Sequence, residues 1–524
     1  MERQPARLFA RDFAIGVSLA NLLFTRTWAE LFIVGQPQAY YLKLGSQEFL
    51  AAALDVILLG FLFAAGSSAR HWGGTAGRRV VAAAFVAVMC VLASNLGPLK
   101  SPGLLHLIPV WRDGHDAALA GVAIAAVAIV AALVKWRTRV RRVVVTGLLV
   151  LSPFAFLNLA RCAYYVIAFQ PDTRFADRTP PLGSGEDAPE GPRVIVLLFD
   201  AMGRALAITD RKPGVEMPAL DRLRAEAFEA TNVTQVGQNT KFAVPGLLTG
   251  RQVKTSKPAG IDNLTLKFAD GHTEDWSELD NLFREARALG GRSTAVGWYH
   301  PYCRVLAKDL SDCSWHPSYM SGGRTRPGGL AVAMGDSLAS AFPYTVYRRR
   351  QLLSYQAIRA DGETAVTRHG AGITLVHINI PHSPYIFDHE SKRLTVTNFR
   401  TTTGYVGALL LADQTLAELR EAMERAGTWE GSTILVTSDH AANIANVLYK
   451  MKDVQVPVIL KLPGQKAGAV YDKPFSATGV HGLLRGALRG EIRTESDATA
   501  WLDANIANHP VLESVKNAPI GEEP

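Results

Sequence analysis

The sequence predicts an α-helical membrane domain over residues 1–169, followed by an α/β sandwich with a largely parallel central sheet over residues 193–524. Three observations lead to this fold class. Long apolar runs with few charges are confined to the first third of the chain. The rest alternates short, fully apolar runs with helical patterns, which is typical of α/β folds. Between the two parts, residues 170–192 are rich in Pro, Gly and charge and are predicted to form an exposed linker.

About five segments of the first domain are apolar enough to cross a bilayer, which requires about 20 residues. They are residues 13–35, 47–67, 78–96, 115–134 and 143–168. Arg and Lys are concentrated at the N-terminus and in the second and fourth loops. The positive-inside rule then places the N-terminus in the cytoplasm and the chain after the last span outside. We therefore expect a multi-pass protein of a bacterial inner (cytoplasmic) membrane whose second domain is periplasmic.

The charge of the chain is divided as unevenly as its hydropathy. The net charge is +8; residues 1–170 carry 16 Lys+Arg against 7 Asp+Glu, whereas residues 171–524 carry 39 against 40. The excess positive charge thus belongs to loops on the cytoplasmic side. Because the second domain contains no basic run, the sequence argues against a nucleic-acid-binding protein.

The first predicted span contains two charged residues, Arg26 and Glu30, which are four positions apart and therefore share one helix face. Charges at this depth are costly and should face protein or water. Two interpretations stay open: an ion pair that orders the helices, or a contact with a lipid headgroup on the outer side.

Four cysteines are present. Cys90 and Cys162 lie in apolar segments and are expected to be small buried residues. Cys303 and Cys313 lie close together in the second domain, where an oxidising compartment favours a short disulfide between them. Two free thiols are the alternative.

Continuous apolar runs in the second domain predict strands that are buried on both faces of a parallel sheet. The runs are residues 193–200, 372–380, 432–439 and 456–462, and the helical patterns between them include residues 217–228 and 405–427. In such sheets, functional groups gather beyond the carboxyl ends of the strands. We expect Asp200, His382, Asp439 and His440 to meet at that edge.

Two carboxylates and a histidine at neighbouring strand ends suit a divalent metal. An imidazole among carboxylates favours Zn²⁺, one or two ions, or Mn²⁺, over Ca²⁺, which prefers oxygen ligands alone. The alternative is that Asp439 caps the following helix and that His440 is an ordinary hydrogen-bonded residue.

The stretch "NTKFAVPGLLTG" (239–250) resembles the nucleophile motif of the alkaline phosphatase superfamily, in its branch of sulfatases and phosphoethanolamine (or phosphoglycerol) transferases. Counting back ten residues from Gly250, as the resemblance implies, gives Thr240 as the nucleophile. A threonine resembles the phosphoryl-transferring members, since sulfatases need an oxidisable Cys or Ser. Val244 replaces the arginine of the sulfatase motif. The alternative role of Thr240 is a helix N-cap.

Three more stretches carry the same resemblance: "GWYH" (297–300), "VHINIPHSPY" (376–385) and "SDHAAN" (438–443). The first implies a substrate or second-metal role for His300. The second places His377 and His382 at the site. The third stretch lacks the usual glycine. A further departure lies after the first strand, where "FDAMG" replaces the Glu-Ser of phosphoethanolamine transferases.

The resemblance and the residues together predict a mechanism. The predicted metal ligands are Asp200, Thr240, Asp439 and His440; the catalytic residues are Thr240, His300 and His382; the substrate-binding residues are Asn239, Lys241 and His377. The metal would lower the pKa of the Thr240 hydroxyl, which attacks phosphorus and forms a phosphothreonine. His300 and His382 are expected to bind a second zinc or to protonate the leaving group.

The expected function is a membrane-bound phosphotransferase. It would move a phospholipid-derived headgroup, phosphoethanolamine or phosphoglycerol, onto an envelope glycan or lipid. Two alternatives are a phosphodiesterase or sulfatase-like hydrolase of the same fold, and a catalytically inactive protein of envelope assembly. The sequence leaves the oligomeric state open.

Overall fold

The computed structural model describes residues 3–32, 37–69, 135–184, 188–212, 215–318, 329–340, 343–397, 401–443 and 449–511, together with 446 and 515. It divides into two compact units, each described separately here. The first unit comprises the described residues of 1–32, 45–174 and 328–346. The second comprises the described residues of 33–44, 175–327 and 347–524.

Helices and strands alternate through the second unit, whereas the first is helical. In chain order the helices are α1 Arg3–Leu23, α2 Thr25–Leu31, α3 Ser46–Ala69, α4 Arg137–Tyr164, α5 Pro171–Arg174, α6 Pro218–Ala225, α7 Thr240–Thr249, α8 Leu282–Ala288, α9 Tyr302–Val305, α10 Leu330–Ser340, α11 Pro343–Val366, α12 Thr401–Arg425, α13 Val480–Leu488 and α14 Glu495–Asn505. The strands are β1 Arg193–Phe199, β2 Phe228–Ala230, β3 Val233–Thr234, β4 Val253–Pro258, β5 Leu264–Phe268, β6 Thr273–Asp275, β7 Arg292–Trp298, β8 Asp312–His316, β9 Gly372–Ile378, β10 Phe387–Asp388, β11 Arg393–Leu394, β12 Thr433–Thr437, β13 Val458–Lys461, β14 Ala469–Tyr471 and β15 Phe475–Ser476.

Two helical segments of the described residues, Ser46–Ser68 and Thr138–Phe169, are long and apolar enough to cross a membrane. A third candidate is the pair α1 and α2, which is bent by 64°. These segments correspond to the first, second and fifth predicted spans. The predicted spans 78–96 and 115–134 lie outside the described residues. Helices long and apolar enough to span a membrane are therefore present as predicted, while the number of five spans and the orientation stay predictions.

The charged pair in α2 is joined directly. Arg26 Nε lies 3.2 Å from Glu30 Oε1, and both side chains are partly buried. This is the geometry of the first interpretation, an ion pair along one helix face. The lipid-headgroup contact stays an untested alternative.

The second unit is built on an eight-stranded sheet with the order β14-β2-β13-β12-β1-β9-β7-β8. From β12 to β8 every neighbouring pair is parallel, while β13 runs antiparallel to β12 and to β2. The predicted α/β fold with a largely parallel sheet is confirmed. Because β12, β1, β9 and β7 are parallel neighbours, their carboxyl ends lie at one edge.

The alternation of side chains decides which groups reach that edge on the same face. Val196 and Leu198 of β1 share a core cluster with Leu375 of β9 and Leu435 of β12, and this cluster includes the buried face of α7. Successive side chains of a strand point to opposite faces. Counting onward by twos from Leu198, Leu375 and Leu435 gives Asp200, His377 and Asp439. These three residues therefore lie on the face covered by α7.

The segment 175–184, predicted as part of an exposed linker, is packed against the second unit. The backbone N–H groups of Arg178 and Thr179 donate to the Cys303 carbonyl at 3.0 and 3.2 Å, and Cys313 N–H donates to the Pro180 carbonyl at 3.0 Å. Phe175 is buried. Half of the residues of this segment are exposed, as expected of a linker, but part of its backbone is held by hydrogen-bonding partners from α9 and β8, a contact that composition does not reveal.

The two units do not follow the predicted domain boundaries. The described residues of 33–44 belong to the second unit although α2 and α3 flank them, and the described residues of 328–346 belong to the first although they lie within the predicted domain 193–524. The apolar helix α10 has 11 residues, too few for the span criterion of about 20. No span was therefore predicted there.

Cys303 and Cys313 form a disulfide, and Cys162 is free and buried. We expect both bonded cysteines of the denatured protein to react with a maleimide only after a reductant is added. The double variant Cys303→Ser/Cys313→Ser should show no such gain and, because the bridge closes a loop with a sequence separation of 10, should lose roughly 2–3 kcal/mol of unfolding free energy. Mass spectrometry of labelled peptides checks the pairing. Equal labelling with and without reductant would contradict it.

Candidate active site

The first carboxylate, Asp200, directly follows β1 and begins a tight turn. Ala201 has φ of 64°, a left-handed conformation that a non-glycine residue adopts only where its surroundings hold it. Here the Ala201 N–H donates to Asp439 Oδ1 at 3.1 Å, and Tyr405 Oη donates to the Ala201 carbonyl at 2.9 Å. The turn after β1 is thereby tied to the carboxylate that follows β12.

The second carboxylate, Asp439, is fixed through one oxygen. Its Oδ1 accepts from the N–H groups of Ala201 and His440 at 3.1 and 2.9 Å. The preceding Ser438 accepts from Met202 N–H and donates to the His440 carbonyl, each at 2.8 Å. The "SDH" turn is therefore rigid, and Asp439 keeps its second oxygen, Oδ2, for another partner.

The His440 ring has a defined orientation. Nδ1 lies 2.9 Å from the Ala441 carbonyl, and because a carbonyl only accepts, Nδ1 carries a proton. Nε2 is 3.8 Å from Asp200 Oδ1 and 3.6 Å from Asp439 Oδ2. An imidazole held by its Nδ1 proton, with Nε2 facing two carboxylates, is the arrangement of a metal ligand.

Thr240 is the first residue of α7, and its side chain is buried. Its Oγ1 donates to Asp200 Oδ2 at 3.2 Å and lies 3.4 Å from His440 Nε2. The N-cap position is occupied by Asn239, so the alternative role of Thr240 as the cap is not realised. A hydroxyl in the first turn of a helix also meets the positive end of the helix dipole, which stabilises negative charge.

A third candidate ligand, His377, was predicted to bind substrate. Its Nε2 lies 3.2 Å from Asp200 Oδ2, and its Nδ1 lies 2.8 Å from Tyr302 Oη. One ligand atom each of Asp200, His377 and Asp439 lies within 4.8 Å of the others. The structure thus brings the predicted set Asp200, Thr240, Asp439 and His440 together and adds His377 to the metal candidates.

Two buried oxygen atoms show that these residues fit a metal ion. Among the described residues, Asp200 Oδ1 and Asp439 Oδ2 have no hydrogen-bond partner. An unpaired buried carboxylate oxygen is costly. A divalent cation offsets that cost and is compatible with imidazole ligands when it is Zn²⁺ or Mn²⁺.

The Asp200 carboxylate is ionised. Burial raises its pKa, but the neighbouring His382, His377 and His440 lower it more, to about 2. Tyr302 stays a neutral phenol, because burial, with Asp439 and Asp200 nearby, holds its pKa well above 10. Tyr302 therefore keeps a hydroxyl proton at neutral pH and supports His377 as a hydrogen-bonding partner.

His300 does not take the role that was predicted for it. Its ring is fully buried, with Nδ1 3.0 Å from Tyr40 Oη and Nε2 3.0 Å from the Thr240 carbonyl. Burial lowers its pKa to about 3, so the ring is neutral. Since protein atoms engage both nitrogens, His300 supports the backbone of the nucleophile instead of binding a second metal or protonating a leaving group.

The remaining predicted residues lie around the same cluster. His382 is partly buried; its ring centroid is 5.3 Å from that of Trp298 and 6.5 Å from that of His440. Its Nδ1 hydrogen-bonds the Ser383 carbonyl. Asn239 and Lys241 are partly buried on either side of Thr240. Their predicted roles toward a substrate stay predictions.

Sequence reasoning missed three supporting residues. Trp298 Nε1 donates to Asp200 Oδ2 at 3.0 Å, Tyr302 supports His377, and Tyr40 supports His300. Trp298 lies inside the quoted "GWYH" motif at the end of β7, so its place at a strand end was an available signal. Tyr302 and Tyr40 act through contacts distant in sequence, for which no local pattern exists.

No known protein-family model and no curated protein sequence matches the chain. Solved structures that resemble it include a phosphonate monoester hydrolase of Agrobacterium radiobacter, with 14% identity, TM-score 0.38 and coverage of 57% of this chain and 74% of that chain. A sulfatase from Pseudoalteromonas sp. has 15% identity, TM-score 0.38 and coverage of 57% and 68%. A protein in the alkaline phosphatase superfamily from Vibrio parahaemolyticus has 14% identity, TM-score 0.39 and coverage of 66% and 79%. Similarity at these TM-scores is too low to decide function, so the functional argument rests on the site's geometry.

Proposed function

We propose that the protein is a membrane-bound, metal-dependent phosphotransferase of the alkaline phosphatase superfamily. It moves a phospholipid headgroup, phosphoethanolamine or phosphoglycerol, onto an envelope glycan or lipid through a phosphothreonine at position 240. One observation carries the proposal: the Thr240 hydroxyl lies 3.2 Å from Asp200 Oδ2 and 3.4 Å from His440 Nε2, at a helix N-terminus. This arrangement supports a nucleophilic role for Thr240, because a hydroxyl nucleophile needs activating groups within hydrogen-bond reach.

The metal would be held by Asp200 and Asp439, which supply the unpaired oxygens, with His440 or His377, or both, supplying nitrogen. When bound, Zn²⁺ or Mn²⁺ lowers the pKa of a hydroxyl in contact with it and neutralises charge that develops on phosphate oxygens. The protein supplies the orientation: Trp298 and the Ala201 and His440 N–H groups hold the two carboxylates in place.

The chemistry on the protein's own residues is a double displacement. Thr240 Oγ1 gives up its proton to water, because Asp200, which accepts the hydrogen bond from this hydroxyl, has a pKa of about 2 and is too weak a base to hold the proton. The oxygen then attacks phosphorus. An Oγ–P bond forms, the P–O bond to diacylglycerol breaks, and the diacylglycerol oxygen takes a proton, with His382 the candidate donor. An acceptor hydroxyl then attacks the same phosphorus and gives its proton to His382, while the P–Oγ bond breaks and Thr240 Oγ1 takes a proton from water.

Three features support phosphoryl transfer from a lipid. A threonine carries no group that can be oxidised to the aldehyde of a sulfatase. The first turn of α7 suits a phosphate. Helices of membrane-spanning length are part of the same chain, which keeps the site near lipid substrates. Water as the second acceptor would make the protein a phosphodiesterase, which is the second candidate.

The proposal is tested with purified full-length protein, zinc and phosphatidylethanolamine or phosphatidylglycerol in mixed micelles. We expect release of diacylglycerol and a tryptic peptide carrying the headgroup phosphate on Thr240. Loss of the modification when a glycan or lipid acceptor is added identifies a transferase, whereas free phosphoethanolamine or glycerol phosphate identifies a hydrolase. Absence of diacylglycerol and of a modified peptide with both donors would contradict the proposal.

A further inference from the structure

Residues 39–44, "AYYLKL", comprise the end of the 3₁₀ helix Pro37–Tyr41 and the residues that follow it. We call this segment the loop 39–44; it belongs to the second unit although membrane-type helices flank it in sequence. Tyr40 is fully buried, and Ala39, Leu42 and Leu44 are nearly so. The Tyr41 ring packs against that of Tyr299, with 5.1 Å between centroids. The loop is therefore an integral part of the unit that holds the active site.

A buried arginine holds the backbone of this loop. Arg304 Nη2 donates to the carbonyls of Tyr40 and Leu42 at 2.9 and 3.0 Å, and its guanidinium lies 4.9 Å from the centre of the Trp315 ring. Arg304 directly follows Cys303, whose disulfide joins α9 to β8. Lys43 adds an ion pair with Asp177 at 2.7 Å. These contacts fix the position of the Tyr40 ring.

The Tyr40 hydroxyl is the first member of a hydrogen-bonded chain that ends at the nucleophile. The Thr240 carbonyl can only accept, so His300 Nε2 must donate to it at 3.0 Å. His300 Nδ1 then carries the lone pair and must accept from Tyr40 Oη at 3.0 Å. Only one neutral tautomer of His300 satisfies both contacts; the Thr240 carbonyl selects it, and the Tyr40 hydroxyl completes it by donating to Nδ1.

We propose that Tyr40 is a positioning residue of the active site, which acts through His300 to hold the first residue of α7 and thereby the direction of the Thr240 hydroxyl. The inference rests on the proposed role of Thr240 as nucleophile. A hydroxyl nucleophile must be held within a fraction of an ångström of its attack position, and a misplacement of about 1 Å costs about 10²-fold in rate. The loop between two membrane-type helices is thus a part of the catalytic machinery.

The kinetic test uses zinc-loaded full-length protein in detergent and the diester bis(4-nitrophenyl) phosphate. Tyr40→Phe, which removes one oxygen atom, should lower kcat about 10- to 100-fold with KM changed less than about twofold, since no substrate contact is lost. The matched control is Tyr355→Phe, which removes a buried hydroxyl that bonds Thr415 at 2.8 Å, remote from the site. Its kcat should equal that of the wild type. An unchanged kcat in a folded Tyr40→Phe protein would overturn the proposal.

A double-mutant cycle shows whether Tyr40 acts through His300. If it does, Tyr40→Phe/His300→Gln should have the same kcat as His300→Gln alone. Multiplication of the two losses would mean that Tyr40 acts independently, as a merely structural residue would, and would overturn the proposal.

A second measurement does not depend on catalysis. In protein labelled with ¹⁵N-histidine, the His300 resonances, assigned by their loss in His300→Gln, should report protonation at Nε2 in the wild type. Tyr40→Phe should shift the Nδ1 resonance, because this nitrogen loses its hydrogen-bond donor, while the proton stays on Nε2 opposite the Thr240 carbonyl. If the wild type cleaves no diester, the proposed function fails while this measurement still decides the hydrogen-bonded chain. Identical His300 spectra in wild type and Tyr40→Phe would overturn it.

Discussion

Thr240→Ala is expected to lower the turnover of a phosphodiester by at least about 10³-fold while leaving the fold intact. The hydroxyl is the proposed nucleophile, so its removal should eliminate the covalent step rather than weaken it. Loss of the 3.2 Å hydrogen bond to Asp200 should change the free energy of unfolding only slightly. Steady-state kinetics with bis(4-nitrophenyl) phosphate, alongside the thermal unfolding midpoint, checks both parts of the expectation.

Two further variants sharpen this test. Thr240→Ser keeps the hydroxyl but loses the methyl group that restricts its rotamer, and should retain part of the activity. Thr249→Ala removes the same atoms from the last residue of the same helix, where the hydroxyl bonds the Pro245 carbonyl, and should retain wild-type activity. An alanine variant at position 240 with wild-type turnover would remove Thr240 from the mechanism and leave direct attack by water.

Loss of the metal is the second large effect expected. Purified protein should carry at least one zinc or manganese per chain, and Asp439→Ala should lose nearly all of it, because only Asp200 would then supply an unpaired buried carboxylate oxygen among the described residues of the site. Elemental analysis after dialysis against metal-free buffer gives the content directly. Activity should fall with it and should return in wild-type protein when zinc is restored.

The two histidines are distinguished in the same assay. His440→Ala and His377→Ala each remove a candidate nitrogen ligand, and the variant that loses more metal identifies the stronger one. Asp413→Ala is the control for a buried carboxylate, since Asp413 accepts from the N–H groups of Ala219 and Leu220 at the start of α6. Equal metal content in Asp439→Ala, His440→Ala, His377→Ala and wild type would refute the metal site.

Much of the fold and half of the site follow from local sequence patterns. Fully apolar runs predicted β1, β9 and β12, and polar residues directly after β1 and β12 marked Asp200, Asp439 and His440 because parallel strands end at one edge. Thr240 was predicted as the nucleophile from the motif at residues 239–250. These signals are local: each depends on residues adjacent in sequence.

The residue roles that the sequence did not predict depend on contacts between segments that are distant in sequence. The resemblance placed His377 at the site as a substrate-binding residue, but its contact with Asp200, which makes it a candidate metal ligand, appears only once β9 is paired with β1. His300 has the residue type of a catalytic group, and only its partners Tyr40 and Thr240 show a supporting role. The described residues of 328–346 belong to the first unit, and no pattern in the sequence composition indicates this.

The loop 39–44 has a consequence for how the chain folds during synthesis. Tyr40 and His300 are separated by 260 residues, so at roughly 5–20 residues per second the ribosome completes the partner of Tyr40 roughly 10–50 s after the loop. Through that interval Tyr40 and Leu42 have no second unit to bury them, and the closure of so long a stretch of chain is a slow, non-local event. We infer that the loop is among the first segments made and among the last to dock. The proposed nucleophile is therefore aligned only late in folding, once the loop has docked within its own unit.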